Sequence, residues 1–183
     1  MPDCNYEGCN FEAEKDEEKC IFHLEEDRKD PQVFLKHFAY YLNAMRELRG
    51  EMNTGLDWPK QGIYQEREFI EKYRSKFTYP IGKEIYYFNG FVFPTTIDFT
   101  GCEFQRYVDF QNAVFLNGVN FAKAAFQRGV NFGNAKFQNE ANFNEVNIQD
   151  VVIFTNTTFH EVATFANSKL RTVNPADFRK TLF

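Results

Sequence analysis

Four side chains near the N-terminus have types and spacings suited to metal chemistry. They are Cys4, Cys9, Cys20 and His23, in the pattern Cys-x4-Cys-x10-Cys-x2-His. Three thiolates and an imidazole form a tetrahedral set for zinc, and a site closed by four protein ligands is structural rather than catalytic. The surrounding segment favours this reading. Residues 1–30 hold few apolar side chains besides Phe11, Ile21 and Phe22, too few to fold alone, and a bound metal supplies the missing folding free energy. Free thiols on an unfolded tail and a disulfide are the alternatives, and spacing alone does not choose among them. His37 is a weaker fourth ligand, because it falls on a predicted helix.

Other reactive side chains carry less. Cys102 is one of four cysteines, and its place in the repeat described below makes it core. His160-Glu161 could pair as acid and base, but spacing brings no nucleophile or third group to them, and an exposed corner is the simpler account. The sequence contains no phosphate loop, nucleophile motif or catalytic dyad, so the chain is expected not to be an enzyme.

The elements that position these residues separate by composition into 1–30, a metal knuckle; 31–80, a helical cap or linker; 81–171, a repeat; and 172–183, a terminal cap or a continuation. The net charge of −5 sits mostly in the first segment: residues 1–31 carry 11 acidic and 4 basic side chains, whereas residues 88–171 carry 7 and 6. The absence of a basic patch weighs against nucleic-acid binding. The polar N-terminus is not a secretory signal and no apolar run is long enough to span a membrane, so a cytoplasmic location is the default expectation. In a reducing compartment, cysteines read better as ligands or buried thiols than as disulfides.

In the middle segment, Asp30-Pro31 is a helix start, an acidic N-cap followed by proline at the first helical position. Phe34, Phe38, Tyr41, Leu42, Met45 and Leu48 then form one apolar stripe, and Gly50 is a plausible stop. A loop over 53–62 and a second helix over about 64–76 follow. Both helices are expected to cover the open N-terminal end of the repeat.

The repeat is the strongest signal. The chain holds 23 Phe against a single Trp. Phe88, Phe93, Phe99, Phe104, Phe110, Phe115 and their successors to Leu170 alternate spacings of five and six, and 14 of these 16 positions are Phe. Two residues before each lies a smaller side chain, such as Val108, Ala113, Val119 or Ala124, with a mostly polar residue between. Small-in, polar-out, large-in is a three-residue strand with one buried face. The corners are rich in Asn, Gln and Gly, which tolerate positive φ. So short a strand is stable only when stacked on copies of itself, which makes a solenoid with internal Phe columns. Asp98, Asp109, Asn120, Asn131 and Asn142 recur every 11 residues and read as solvated strand faces, with a polar groove as the sharper alternative.

The stretch VDFQNAVFLNGVNFAKAAFQRGVNFGNAKF resembles the pentapeptide-repeat proteins, in the variety with a central Phe. The resemblance covers about 86–171 and implies a mainly β fold, a right-handed quadrilateral β-helix with four units per coil. Four units here make 22 residues instead of 20, so about four coils are expected, with two enlarged corners in each. The N-terminus is similar to short Cys₃His knuckles that precede such repeats in some bacterial proteins, with Cys4, Cys9, Cys20 and His23 as the zinc ligands.

The expected function is a non-catalytic scaffold for an unknown protein partner. Some members of the family mimic DNA and inhibit type II topoisomerases, but they need a strongly acidic rod and this repeat is near neutral. A third reading makes the chain the N-terminal part of a larger sensor or membrane protein. The lightly covered C-terminal end of the solenoid makes a homodimer through that end a further expectation.

Overall fold

A computed structural model describes residues 4–6, 9, 11, 13–25, 28–49, 85–171 and 177–182. The expected second helix and the loop before it lie outside the described residues. Helix α1 spans Pro31–Arg49. It starts where expected: the Asp30 side chain accepts from the backbone N–H of Gln32 at 2.7 Å and of Val33 at 3.2 Å, so two of the four orphan donors of a helix start are satisfied. The buried face is broader than the expected stripe. Leu35, Ala39, Tyr40 and Ala44 are buried along with Phe34, Phe38, Tyr41, Leu42 and Met45.

Among the described residues sixteen short strands follow: β1 (Ile85–Tyr87), β2 (Val92–Phe93), β3 (Ile97–Asp98), β4 (Glu103–Phe104), β5 (Tyr107–Asp109), β6 (Val114–Phe115), β7 (Val119–Asn120), β8 (Ala125–Phe126), β9 (Val130–Asn131), β10 (Lys136–Phe137), β11 (Ala141–Asn142), β12 (Asn147–Ile148), β13 (Val152–Ile153), β14 (Thr158–Phe159), β15 (Ala163–Thr164) and β16 (Lys169–Leu170). Each pairs in parallel with the strand four places on, giving four four-stranded sheets ordered β1-β5-β9-β13, β2-β6-β10-β14, β3-β7-β11-β15 and β4-β8-β12-β16. Partners such as Phe93 and Phe115, or Phe104 and Phe126, are 22 positions apart. The chain is therefore a mainly β solenoid of about four coils with an N-terminal helix.

The Phe columns are internal, and their rings stack between coils. On the first face Phe88, Phe110, Phe132, Phe154 and Phe178 follow at centroid distances of 4.8, 5.2, 5.0 and 4.9 Å. The second face runs Phe93, Phe115, Phe137, Phe159 at 4.7, 4.8 and 4.7 Å. Rings on adjacent faces meet edge to face, as Phe110 and Phe121 do at 5.7 Å and 72°. Strand spacing sets the stacking distance, and both geometries suit the ring quadrupole. Cys102 is 6% exposed in its small inward slot, and His160 stands exposed at a corner.

The tight corners follow one rule. Gly90, Gly101, Asn112, Lys123, Asn134, Glu145, Asn156 and Asn167 all have φ between 56° and 69°. In each turn an i→i+3 bond closes over the positive-φ residue, as Ala113 N–H to Phe110 O does at 3.0 Å, which is the type II arrangement. The recurrent Asp and Asn side chains stabilise these turns. Asp98, Asp109, Asn120, Asn131 and Asn142 each accept from the backbone N–H two residues on. They form Asx turns and lie alternately on two opposite faces, so neither a continuous groove nor a merely solvated face describes them. At the corner after the first face, Asn112, Asn134 and Asn156 form a ladder, each donating to the Asn one coil above at 3.1–3.2 Å.

Residues 177–182 begin another coil. Asp177 bridges to Ile153 and Leu182 to Thr158, and Phe178 joins the first column. The offset is 24 residues, two more than in the repeat. Residues 177–182 thus extend the stack.

Candidate metal centre

The knuckle takes its shape from backbone turns. Cys4 N–H donates to Phe11 O at 2.8 Å, which brings the first two cysteines together, and a turn from Cys20 carries His23 N–H back onto Cys20 O at 2.9 Å. Cys4, Cys9, Cys20 and His23 converge, with all four ligand atoms within 4.8 Å of one another. His23 Nδ1 lies 3.2 Å from Cys20 Sγ and 3.6 Å from Cys4 Sγ, and Cys9 Sγ lies 3.8 Å from Cys20 Sγ. A tetrahedron with Zn–S of about 2.3 Å and Zn–N of about 2.0 Å has edges of roughly 3.5–3.8 Å, so the set could hold a metal of that kind. His37 is not among the four. All four cysteines are free thiols, which weighs against the disulfide alternative.

The donor chemistry points the same way. Cys4, Cys20 and His23 are 6%, 2% and 3% exposed. The Cys4 thiol is pushed up to about 11, first by its hydrogen bond with Cys20 and then by burial. Cys20 is pushed up to about 12: its bond with Cys4 pulls the other way, but the bond with Cys9 and burial outweigh it. The buried thiols of Cys4 and Cys20 thus resist ionisation unless a cation joins them, and metal binding releases their protons. His23 is oriented for ligation. Its Nε2 lies 3.0 Å from the Asn89 carbonyl oxygen, and an N–H there leaves Nδ1 free to face the sulfurs.

The centre sits on the upper edge of the first coil. The direction of the ladder bonds explains how. Along the second face, Val114 and Leu116 donate upward to Phe91 and Phe93, so the first coil presents upward donors at positions 92 and 94. Val92 N–H is taken by Phe22 O at 2.8 Å, and position 94 is Pro, which has no donor. Val92 O accepts from Lys29 Nζ at 2.6 Å, which also donates to Phe22 O at 3.1 Å. Along the first face the upward groups are carbonyls: Tyr41 Oη donates to Tyr87 O, and Asn89 O meets His23. Lys29 is almost wholly buried, with Nζ 4.9 Å from the centre of the Phe34 ring, and burial lowers its pKa to about 7.

Aromatic packing completes the seat. Phe91 fills the slot that Ala113 and Ala135 occupy below, stacks on Phe22 at 4.5 Å, and meets His23 edge-on at 5.5 Å. Phe38 of α1 closes over Phe88 and Phe93 at 5.7 and 5.5 Å. The Tyr6 ring stacks on His23 at 4.0 Å and 5°, and its hydroxyl donates to Asn89 Oδ1 at 2.9 Å. Gly90 makes room for it: with φ of 68°, a Cβ here would come within 2.0 Å of the Tyr6 ring. Asn89 in turn donates to Asp109 at 3.2 Å, whose carboxyl burial pushes up. Tyr6, Lys29, Asn89, Gly90 and Phe91 escaped the sequence reading. The one available signal was a local break in the repeat, Phe at a small slot and Gly at an Asn corner.

Among the described residues no other cluster of metal-ligating side chains is found, and no helix is long and apolar enough to cross a membrane. No curated protein and no solved structure gives a significant match to the chain. Residues 88–136 match the family model for pentapeptide repeats (9 copies), and the same 22-residue pairing runs from Ile85 to Leu170, so the chain is a β-solenoid with pentapeptide repeats over the matched residues.

Proposed function

We propose that the chain is a non-catalytic scaffold for a protein partner, closed at its N-terminal end by a structural zinc knuckle of Cys4, Cys9, Cys20 and His23. The solenoid architecture is what carries the scaffold reading. Its large apolar side chains are committed to internal columns, and four parallel sheets turn the intervening side chains outward, such as Val114, Lys136 and Thr158 on one face and Ala125, Asn147 and Lys169 on another. Such faces suit recognition by shape and hydrogen bonding. When bound, zinc would hold the knuckle's fold by closing a tetrahedral site, and the four ligands leave no open position for a substrate.

The experiment is affinity capture on the full chain beside the Lys136→Glu and Lys169→Glu variants. A partner retained by the parent chain and lost with one face variant supports the scaffold. Purified chain that captures nothing under any condition, or inhibits gyrase supercoiling at micromolar concentration, overturns it, the second outcome in favour of a DNA mimic.

An end-to-end homodimer is a second reading, favoured by one observation. Among the described residues, 177–182 cover only β13 and β14, and Phe165 and Leu170 at the ends of the other two columns are half-buried where Phe121 and Phe126 are fully buried. A strictly monomeric mass in light scattering would remove it.

A further inference from the structure

We propose that metal binding at the knuckle and closure of the solenoid's upper edge are one linked equilibrium, so that the metal latches the cap onto the first coil. The inference rests on the metal reading above.

The residues that would bind the metal and those that saturate the edge are interleaved. Phe22 O, His23 Nε2 and Lys29 Nζ, which meet Val92 N–H, Asn89 O and Val92 O, all lie in the ten residues from Cys20 to Lys29. Tyr6 lies between Cys4 and Cys9, stacks on the His23 ring and reaches Asn89. His23 belongs to both sets, with one ring nitrogen toward the sulfurs and the other on the edge. Fixing the four ligands therefore fixes the turns that present the edge contacts. Docking conversely holds His23 and Tyr6 in place and pre-organises the ligand set. Coupling of this kind is reciprocal: a factor by which the metal favours docking is the factor by which docking favours the metal. Without the metal, the turns that carry the contacts lose their clamp, and Asn89 and Val92 become an unpaired strand edge of the kind that pairs with other chains.

The latch is tested on the full chain with Zn²⁺ as the probe. Hydrogen exchange of the Val92 amide is compared with zinc loaded and after chelation. Protection is expected to fall at least about tenfold on chelation, while Phe132 and Phe143 amides in the third coil stay protected. Two variants that touch no ligand probe the reverse direction. Val92→Pro removes the donor to Phe22 O yet leaves the ladder bonds of Val114 and Leu116 in place. Gly90→Ala drives a methyl group into the Tyr6 ring. Each is expected to weaken zinc affinity by about tenfold or more, equivalent to ~1.4 kcal/mol, with third-coil protection unchanged. Stoichiometric zinc binding with identical Val92 exchange in both states overturns the latch alone, as do two folded variants with parental zinc affinity. A chain that binds no zinc removes the metal reading and the latch together.

Discussion

The solenoid and its cap are stabilised in opposite ways. In the solenoid every environment recurs. Phe110, Phe121 and Phe132 are all fully buried, each stacks on an equivalent ring one coil away, and each ladder bond spans one 22-residue coil. The cap has no second copy of anything. His23 to Asn89, Lys29 to Val92 and Tyr6 to Asn89 each join residues more than 60 positions apart. A repeat propagates its own interior but leaves a raw edge at each end. The cap residues are those an end needs: a large ring where the repeat has Ala, a Gly where it has Asn, and a Pro where a donor would point into nothing. The knuckle segment lacks apolar mass, so chemistry at four side chains substitutes for burial.

This contrast can be broken at several points. The largest effect is expected in the repeat. Phe132→Ala should lower unfolding stability by about 3–5 kcal/mol in urea denaturation, because rings from the coils above and below and from two other faces close on it. A loss below about 1 kcal/mol would mean that the columns are not the source of stability. Gly90→Ala should cost about 1–3 kcal/mol, read at cap amides rather than in the third coil. Equal loss of protection in both regions would show that cap and solenoid melt as one unit.

A smaller effect comes from the corner ladder. Asn134 holds φ at 57°, so Asn134→Ala should cost about 1 kcal/mol through the left-handed conformation, whereas Asn134→Gly removes the same hydrogen bonds without that strain and should cost less. The reverse order would assign the stabilisation to the Asn ladder itself.

The pH dependence of the cap follows from Lys29. Burial, the main cause, lowers it to about 7 in the folded chain from an ordinary 10.5. Between these values the unfolded chain carries the extra proton, so stability rises with pH through that window and the contribution levels off below about 7. Lys29→Met should lose this slope, measured as the difference in urea midpoints at pH 7 and pH 9. Parallel slopes for variant and parent would mean that Lys29 is charged in the folded chain.

The repeat was legible because its signal is redundant. Fourteen Phe in sixteen slots report one environment many times, and the alternation of five and six already implied the 22-residue register seen in all the strand pairs. The helix start was legible from Asp30-Pro31, since a cap is a local device. The breadth of the buried face of α1 was not, because Leu35 and Tyr40 are buried at positions outside the three- and four-residue spacing that marked the stripe. The role of Asp109 and Asn131 was half legible: their outward register was plain, but the bond to the backbone two residues on depends on corner geometry.

By itself, the sequence determined the period, the inward and outward registers, the near-neutral solenoid and the identity of four candidate ligands, because each rests on spacing within one or two turns of chain. Only the tertiary structure decided that these ligands converge, that His23 faces the sulfurs with one nitrogen and the edge with the other, and that Lys29 and Tyr6 complete the closure. Those contacts join residues 6, 23 and 29 to residues 89 and 92. No local pattern encodes such a meeting, since it exists only once the coil has closed and its first edge has donors and acceptors to satisfy.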